Sequence, residues 1–193
     1  LAEIPGNEVC VVLPYYGTIK NNTQFDIEYL TSFYMPLGWR STYVGVFKSV
    51  VRTKGKGRSK GKEIVYYFID NEFYYRRGAL YGAGDDLERF AFFCKAVVDL
   101  LPLIDFYPDY LHAHDWQAAM AVVYLKCLYG SAEKYRDIKA VFTIHNIQYQ
   151  GIGDMYNMGD LLGLHEKFVP VLEFGGCMNF MKGAIVCADM VST

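Results

Sequence analysis

The chain has 193 residues, 52% hydrophobic and 21% charged, enough apolar material for the core of one domain, or of one and a fraction, and too much for a disordered chain. Its 19 Lys and Arg against 21 Asp and Glu leave a net charge of −2, so general attraction to nucleic-acid phosphates is not expected. The longest wholly apolar run, residues 118–125, falls short of the about 20 residues that span a bilayer, and residues 1–5 (LAEIP) lack the basic start and apolar stretch of a secretory leader.

Residues 9–13 (VCVVL) form a β-branched run between the turn-like PGN at 5–7 and Pro14, and read as a buried strand. Residues 43–51 and 63–69 (EIVYYFI) read as two more strands. Between them TKGKGRSKGK (53–62) alternates glycine with cations and cannot contribute to a core. It is expected as a solvated hairpin tip, with contact to a polyanion as the less favoured reading.

From Asp85 the period changes. Leu87, Phe90, Ala91, Cys94, Val97, Val98 and Leu101 recur at three and four, as on an amphipathic helix. Asp85 and Asp86 stand at its positive end, where either could cap, and Pro102 stops it. A strand is expected at 109–113, a helix from Asp115 to Tyr129 stopped by Gly130, a strand at 139–144 (KAVFTI), a helix at 175–188, and a strand beginning at Met190. Such alternation implies a parallel sheet covered by helices on both faces. A ligand of such a sheet binds beyond the carboxyl ends of its strands. That rule selects residues 112–116 and 143–151.

The first segment, LHAHDWQ (111–117), puts His112 and His114 on one face of a strand. A metal would need a third ligand that the spacing does not supply; the plainer reading packs one histidine under the sheet and uses Asp115 as a cap. The second, THNIQYQG with Ile144 after its threonine (143–151), offers His, Asn, Tyr and Gln, the groups that bind sugars, or else a polar loop. A third cluster, DNEFYYRR (70–77) followed by Tyr81-Gly82 and Asp85-Asp86, offers paired carboxylates for acid–base work. Neither a G-x-S-x-G motif nor a phosphate-binding glycine loop occurs. The five cysteines are widely spaced without a C-x-x-C pair, and read as small core residues of a reducing compartment.

Taken in order, VVLPYYG (11–17), LGWRSTYVGV (37–46), DNEFYY (70–75), LYG (80–82), GDDLERFAFF (84–93), HAHDWQA (112–118), FTIHNIQYQG (142–151) and FMKGAIVCAD (180–189) resemble the bacterial glycogen synthase and plant starch synthase family. These are retaining glycosyltransferases of family five, built as two Rossmann-like domains in the GT-B arrangement. The resemblance covers nearly the whole chain. It implies an α/β fold, a Rossmann-like parallel sheet with flanking helices and a β-hairpin insertion, the N-terminal half of a GT-B fold. Residues 1–193 would then form the acceptor-side domain, without its first strand and donor lysine loop, and without the C-terminal nucleotide-binding domain.

Carried over by motif, the resemblance implies that His114 and Asp85 are catalytic. Asn146, Tyr149, Gln150, Tyr81 and Lys182 would bind substrate, and Asp115 and Trp116 would support the site. No metal or cofactor is implied, because ADP-glucose is a substrate. The implied reaction transfers glucose from this donor to the non-reducing end of an α-1,4-glucan, in the cytoplasm or, in a plant, the plastid, and the fragment alone would be inactive. The residues leave two other readings open: a non-catalytic α-glucan-binding module, and a GT-B transferase with another donor.

Overall fold

A computed structural model describes residues 1–54 and 61–193. Most of the cationic segment expected as a hairpin tip therefore lies outside the described residues, though its two ends are joined by Thr53 N–H donating to the Lys62 carbonyl at 2.8 Å. The chain divides into two compact units, one of Leu1–Tyr34 and Tyr43–Tyr81, the other of Met35–Thr42 and Gly82–Thr193.

The first unit contains β1 (Cys10–Pro14), α1 (Gly17–Lys20), most of β2 (Glu28–Leu37) and β3 (Arg40–Arg52), β4 (Glu63–Asp70) and α2 (Glu72–Tyr75). Its sheet runs in the order β1-β4-β3-β2. β1 lies parallel to β4, and β3 antiparallel to it with Gly45 opposite Asp70. The β-branched run at the start is thus a sheet-edge strand, half-buried rather than enclosed. The strand β2 carries no strong apolar alternation over its first half and is largely exposed there. Tyr15 packs on Phe47 and Phe68, with ring centroids 4.8 and 5.4 Å apart. Lining one hollow of about 290 Å³ are Leu13, Phe25, Val51, Tyr66 and Phe68, with Ile19 and Ser49.

The second unit alternates as expected: α3 (Asp86–Leu100), β5 (Tyr110–His114), α4 (Asp115–Tyr124), β6 (Lys139–Thr143), α7 (Phe180–Cys187) and β10 (Met190–Ser192). A π-helical turn (Leu125–Tyr129) continues α4. The three strands form a parallel sheet in the order β10-β6-β5. The crossovers β5-α4-β6 and β6-α7-β10 step across it in the same direction. Right-handed connections that do so place their helices on one face, and α4 packs against α7 as well as against α3.

Between β6 and α7 lie β7 (Ile152–Gly153), α5 (Met158–Leu162), α6 (Val169–Leu172), β8 (Glu173–Phe174) and β9 (Cys177–Asn179). β7, β9 and β8 make a small antiparallel sheet. The helix expected from residue 175 starts only at Phe180, because residues 175–176 are Gly-Gly and turn β8 into β9. Asn179 then caps α7, its side-chain oxygen accepting the Lys182 N–H at 2.9 Å.

Helix α3 departs from a one-sided stripe. Arg89, Phe92, Phe93, Lys95 and Ala96 are buried as well as the expected face. Its buried charges are matched within the helix: Arg89 with Asp86 at 3.3 Å, and Lys95 with Asp99 at 2.8 Å. Burying a cation is tolerable only with such partners. No helix among the described residues is long and apolar enough to cross a membrane.

Candidate functional site

In the parallel ladder His114 sits opposite Thr143 of β6, and Thr143 opposite Ser192 of β10. These are the last residues of β5 and β6 and the last of β10, so all three strands end in polar side chains at one rim. His112 and His114, two residues apart, both stand exposed on the same side, with ring centroids 4.1 Å apart. Leu111 and Ala113 take the buried side instead. Neither histidine packs under the sheet, because the alternation of the strand gives that face to its apolar residues.

Each ring has a definite partner. His112 Nε2 lies 2.7 Å from Thr143 Oγ1, which lies 2.6 Å from Ser192 Oγ. His114 Nδ1 lies 3.0 Å from Nε2 of His145, and these rings stack at 5.3 Å. His145 is the third imidazole that spacing did not supply. Its nitrogen faces that of His114 directly, so the two share one proton rather than converge on a common point. Among the described residues no three His, Cys, Asp or Glu side chains are arranged to hold a metal ion.

Burial, together with the neighbouring imidazoles, pulls His112 and His114 below the ordinary histidine value; for His114 the Asp115 carboxylate opposes the shift. Both rings are therefore neutral near pH 7 and each offers one donor and one acceptor. The two strand histidines are thus uncharged hydrogen-bonding groups at the rim.

The loop after β6 is built against this rim. Asp115, the first residue of α4, has a left-handed backbone, with φ at 57°. Its Oδ1 accepts the N–H of His145 at 2.8 Å and of Asn146 at 3.3 Å. Asp115 thus works on the loop and not as the helix cap. Asn146 Oδ1 accepts the Gln148 N–H at 3.0 Å, turning the chain so that Ile147 and Tyr149 stand exposed. Gln150 is turned inward: its amide nitrogen donates to the Ile147 carbonyl, and its oxygen accepts from Asn179 at 2.7 Å. At Gly151 φ is 66°, and a Cβ there would meet Trp116 Cε3 at 2.5 Å. Trp116 is itself buried, edge-on to Phe90 at 5.2 Å. The indole is the wall against which the loop closes.

The remaining residues chosen from sequence fall elsewhere. Asp85 occupies the position before α3 and makes no side-chain cap bond; Asp86 instead accepts the Gly82 N–H at 2.5 Å. Tyr81 is exposed and is the last residue of the first unit. Lys182 donates its ammonium to the Pro170 carbonyl, so it is engaged by α6. The carboxylates at 70–72 are engaged too. Asp70 and Glu72 both face Lys20, at 3.8 and 3.3 Å, Glu72 also pairs with Arg76, and Asn71 caps α2. Burial raises the Asp70 carboxyl above its usual range. Of the cysteines only Cys94 is a core residue; the other four are half-exposed. Sequence reasoning placed Thr143 and His145 in the selected segment 143–151 without giving either a role of its own, and passed over Ser192. Their signal is the shared register of three strand ends, which a single strand does not display.

Comparison with known proteins gives one consistent picture. A family model described as the starch synthase catalytic domain matches residues 3–193. The chain is 43% identical over 190 residues to a glycogen synthase of Desulforamulus reducens, and 42% identical over 193 residues to one of Exiguobacterium sibiricum. Each match covers 97% of this chain and 38% of the relative. Among solved structures, the catalytic domain of starch synthase IV from Arabidopsis thaliana, bound to ADP and acarbose, is similar with a TM-score of 0.80 at 26% identity. That match also covers 97% of this chain and 38% of the other.

Proposed function

The chain belongs to the starch synthase catalytic-domain family, and on that footing we propose that it is the acceptor-side part of a glycogen or starch synthase. Because it spans 38% of the length of the curated relatives it matches, the activity is proposed for the whole protein. Glucose would pass from ADP-glucose to the non-reducing end of an α-1,4-glucan, with retention. A second, nucleotide-binding domain would supply most of the donor site, and the cytoplasm, or a plastid, is the proposed setting.

One observation carries the reading: the rim of imidazoles at the ends of β5 and β6, with His112 and His114 neutral, flanked by an amide and an exposed tyrosine. Neutral donors and acceptors beside an aromatic ring suit a polyol, whereas an anion would call for cations. In this proposal His114 faces the transferred glucose through the ring nitrogen that His145 leaves open, and Asp85, at the start of α3, acts on the transferred sugar or the acceptor. Asn146 and Tyr149 contact sugar. Asp115, Trp116 and Gln150 hold the loop that presents them. Charge that develops on the sugar and the departing diphosphate would be stabilised by groups of both domains, so residues 1–193 alone should not turn over.

The test is incorporation of glucose into glycogen by the whole protein, with ADP-glucose and UDP-glucose side by side. Replacement of His114 by Ala should lower incorporation at least a hundredfold, about 2.7 kcal/mol of barrier. Binding of glycogen with no incorporation from either donor would point to a glucan-binding module. Turnover by residues 1–193 alone would refute the division of labour.

A further inference from the structure

Helix α7 ends at Cys187, whose sulfur lies 4.0 Å from that of Cys127 on the π-helical turn. The two are 60 residues apart in sequence, and both are free and half-exposed. Their surroundings are cationic. Lys126 precedes Cys127, Lys182 lies on α7, and Lys167 is also near enough to favour a negative sulfur. Asp189, two residues after Cys187, is already engaged: it pairs with Lys126 at 2.7 Å and Lys139 at 3.6 Å, and accepts the Ala140 N–H.

The pair is asymmetric. The hydrogen bond between the two sulfurs, with Lys182 and Lys126 nearby, pulls Cys187 below the ordinary thiol value. The same bond, with burial, pushes Cys127 up. A fully buried thiol behaves differently: Cys94 is pushed up to about 12 and bonded to the Gln117 carbonyl. Thiolate character and access decide which cysteines react. Cys127 and Cys187 have the access together, and the lysines around them favour a thiolate.

We propose that Cys127 and Cys187 form a dithiol site that is oxidised to an intramolecular disulfide by exchange with a small-molecule disulfide. The Cys187 thiolate attacks one sulfur of that disulfide and expels the other as a thiolate, leaving a mixed disulfide on Cys187. Cys127 then loses its proton, attacks Cys187 Sγ and expels the second small thiolate. The protein loses two hydrogens, the small disulfide is reduced to two thiols, and both electrons are accounted for. The sulfurs must approach from 4.0 Å to about 2.05 Å. The π-helical turn, where the helix is locally widened, is the element that moves. The bond would tie this turn to the helix whose first two N–H groups, of Phe180 and Met181, hold the carbonyls of Gly151 and Gln150.

The test uses the whole protein, reduced, desalted and exposed to oxidised glutathione at neutral pH, with remaining thiols then alkylated and the peptides mapped by mass. The expected result is the joint disappearance of the two thiols, a mass lower by about 2 Da, and a linked peptide containing Cys127 and Cys187. With Cys127→Ser, glutathione should stay on Cys187. With Cys187→Ser, Cys127 should react at least tenfold more slowly than Cys187 does. The mapping of the unaltered protein needs neither variant to fold. Survival of both thiols, a mixed disulfide that persists in the unaltered protein, or a linked peptide joining other cysteines would overturn the proposal.

Discussion

The carboxylate of Asp115 accepts the backbone N–H of His145 at 2.8 Å, so the first residue of one helix fixes the ring that faces His114. The same oxygen accepts from Asn146. Replacing Asp115 with Ala removes both bonds and leaves a β-carbon residue in a left-handed backbone. The expected cost is about 1–3 kcal/mol, read from urea unfolding. Asp115→Asn keeps an acceptor and tolerates the conformation, so it should lose distinctly less. Equal losses in the two variants would show that the carboxylate oxygen does not hold the loop.

Gly151 is the second test of that loop. Ala at this position meets the Trp116 ring at 2.5 Å as well as an unfavourable φ. The left-handed conformation alone costs about 1–2 kcal/mol, so the unfolding midpoint should fall clearly. Gly159→Ala provides the control, because a Cβ there meets nothing within 4 Å and lies in a helix. Its effect should stay within about 0.5 kcal/mol or be stabilising.

The histidine rim predicts a pH dependence. In the unfolded chain an imidazole titrates near about 6.5, while His112 and His114 in the folded chain titrate lower. Below about pH 6.5 the unfolded state therefore binds protons that the folded state refuses. Stability should fall as pH drops through that value, and stop falling on this account once the folded rings are also protonated. Replacing both with Gln should flatten the profile between neutral pH and that point. An unchanged slope would count against the depressed values.

Asp189 acts in the same direction over a more acidic window. A hydrogen bond from Lys126 and the Ala140 N–H hold its carboxyl down at about 2. Its contribution is complete above the ordinary carboxylate value, about 3.9, and is lost as pH falls from there toward 2. Asp189→Asn should weaken the join between α7 and β6 and remove that acid limb. The measurement is the unfolding midpoint against pH between about 5 and 2.5.

Strands β1, β4 and β6 were legible as short apolar runs, and β5 and β10 by their place in the alternation with helices, although β10 is exposed throughout. β2 was not: Glu28 to Leu30 are all exposed, and its alternation starts only at Thr31. The break at residues 175–179 was hidden because Phe174, Cys177 and Met178 continue the apolar content across a turn. At the site, the polar strand ends could be located from sequence. The pairing of His114 with His145 could not, because it joins residues 31 positions apart and depends on register. Gln150 looked like a ligand for sugar, and its inward turn depends on Asn179 arriving from another element.

Gly38 and Gly163 face each other in the second unit. A Cβ on Gly38 would land on the Asp160 carbonyl, and one on Gly163 would come within 2.8 Å of the Gly38 nitrogen. Nearby, Arg40 holds Glu88 at 2.6 Å. The two positions are thus joined in heredity as well as in space. A substitution at one cannot be rescued by shrinking its neighbour, since neither has a side chain left to lose. Only a shift of main chain would make room, so this small contact should be among the slowest parts of the surface to diverge.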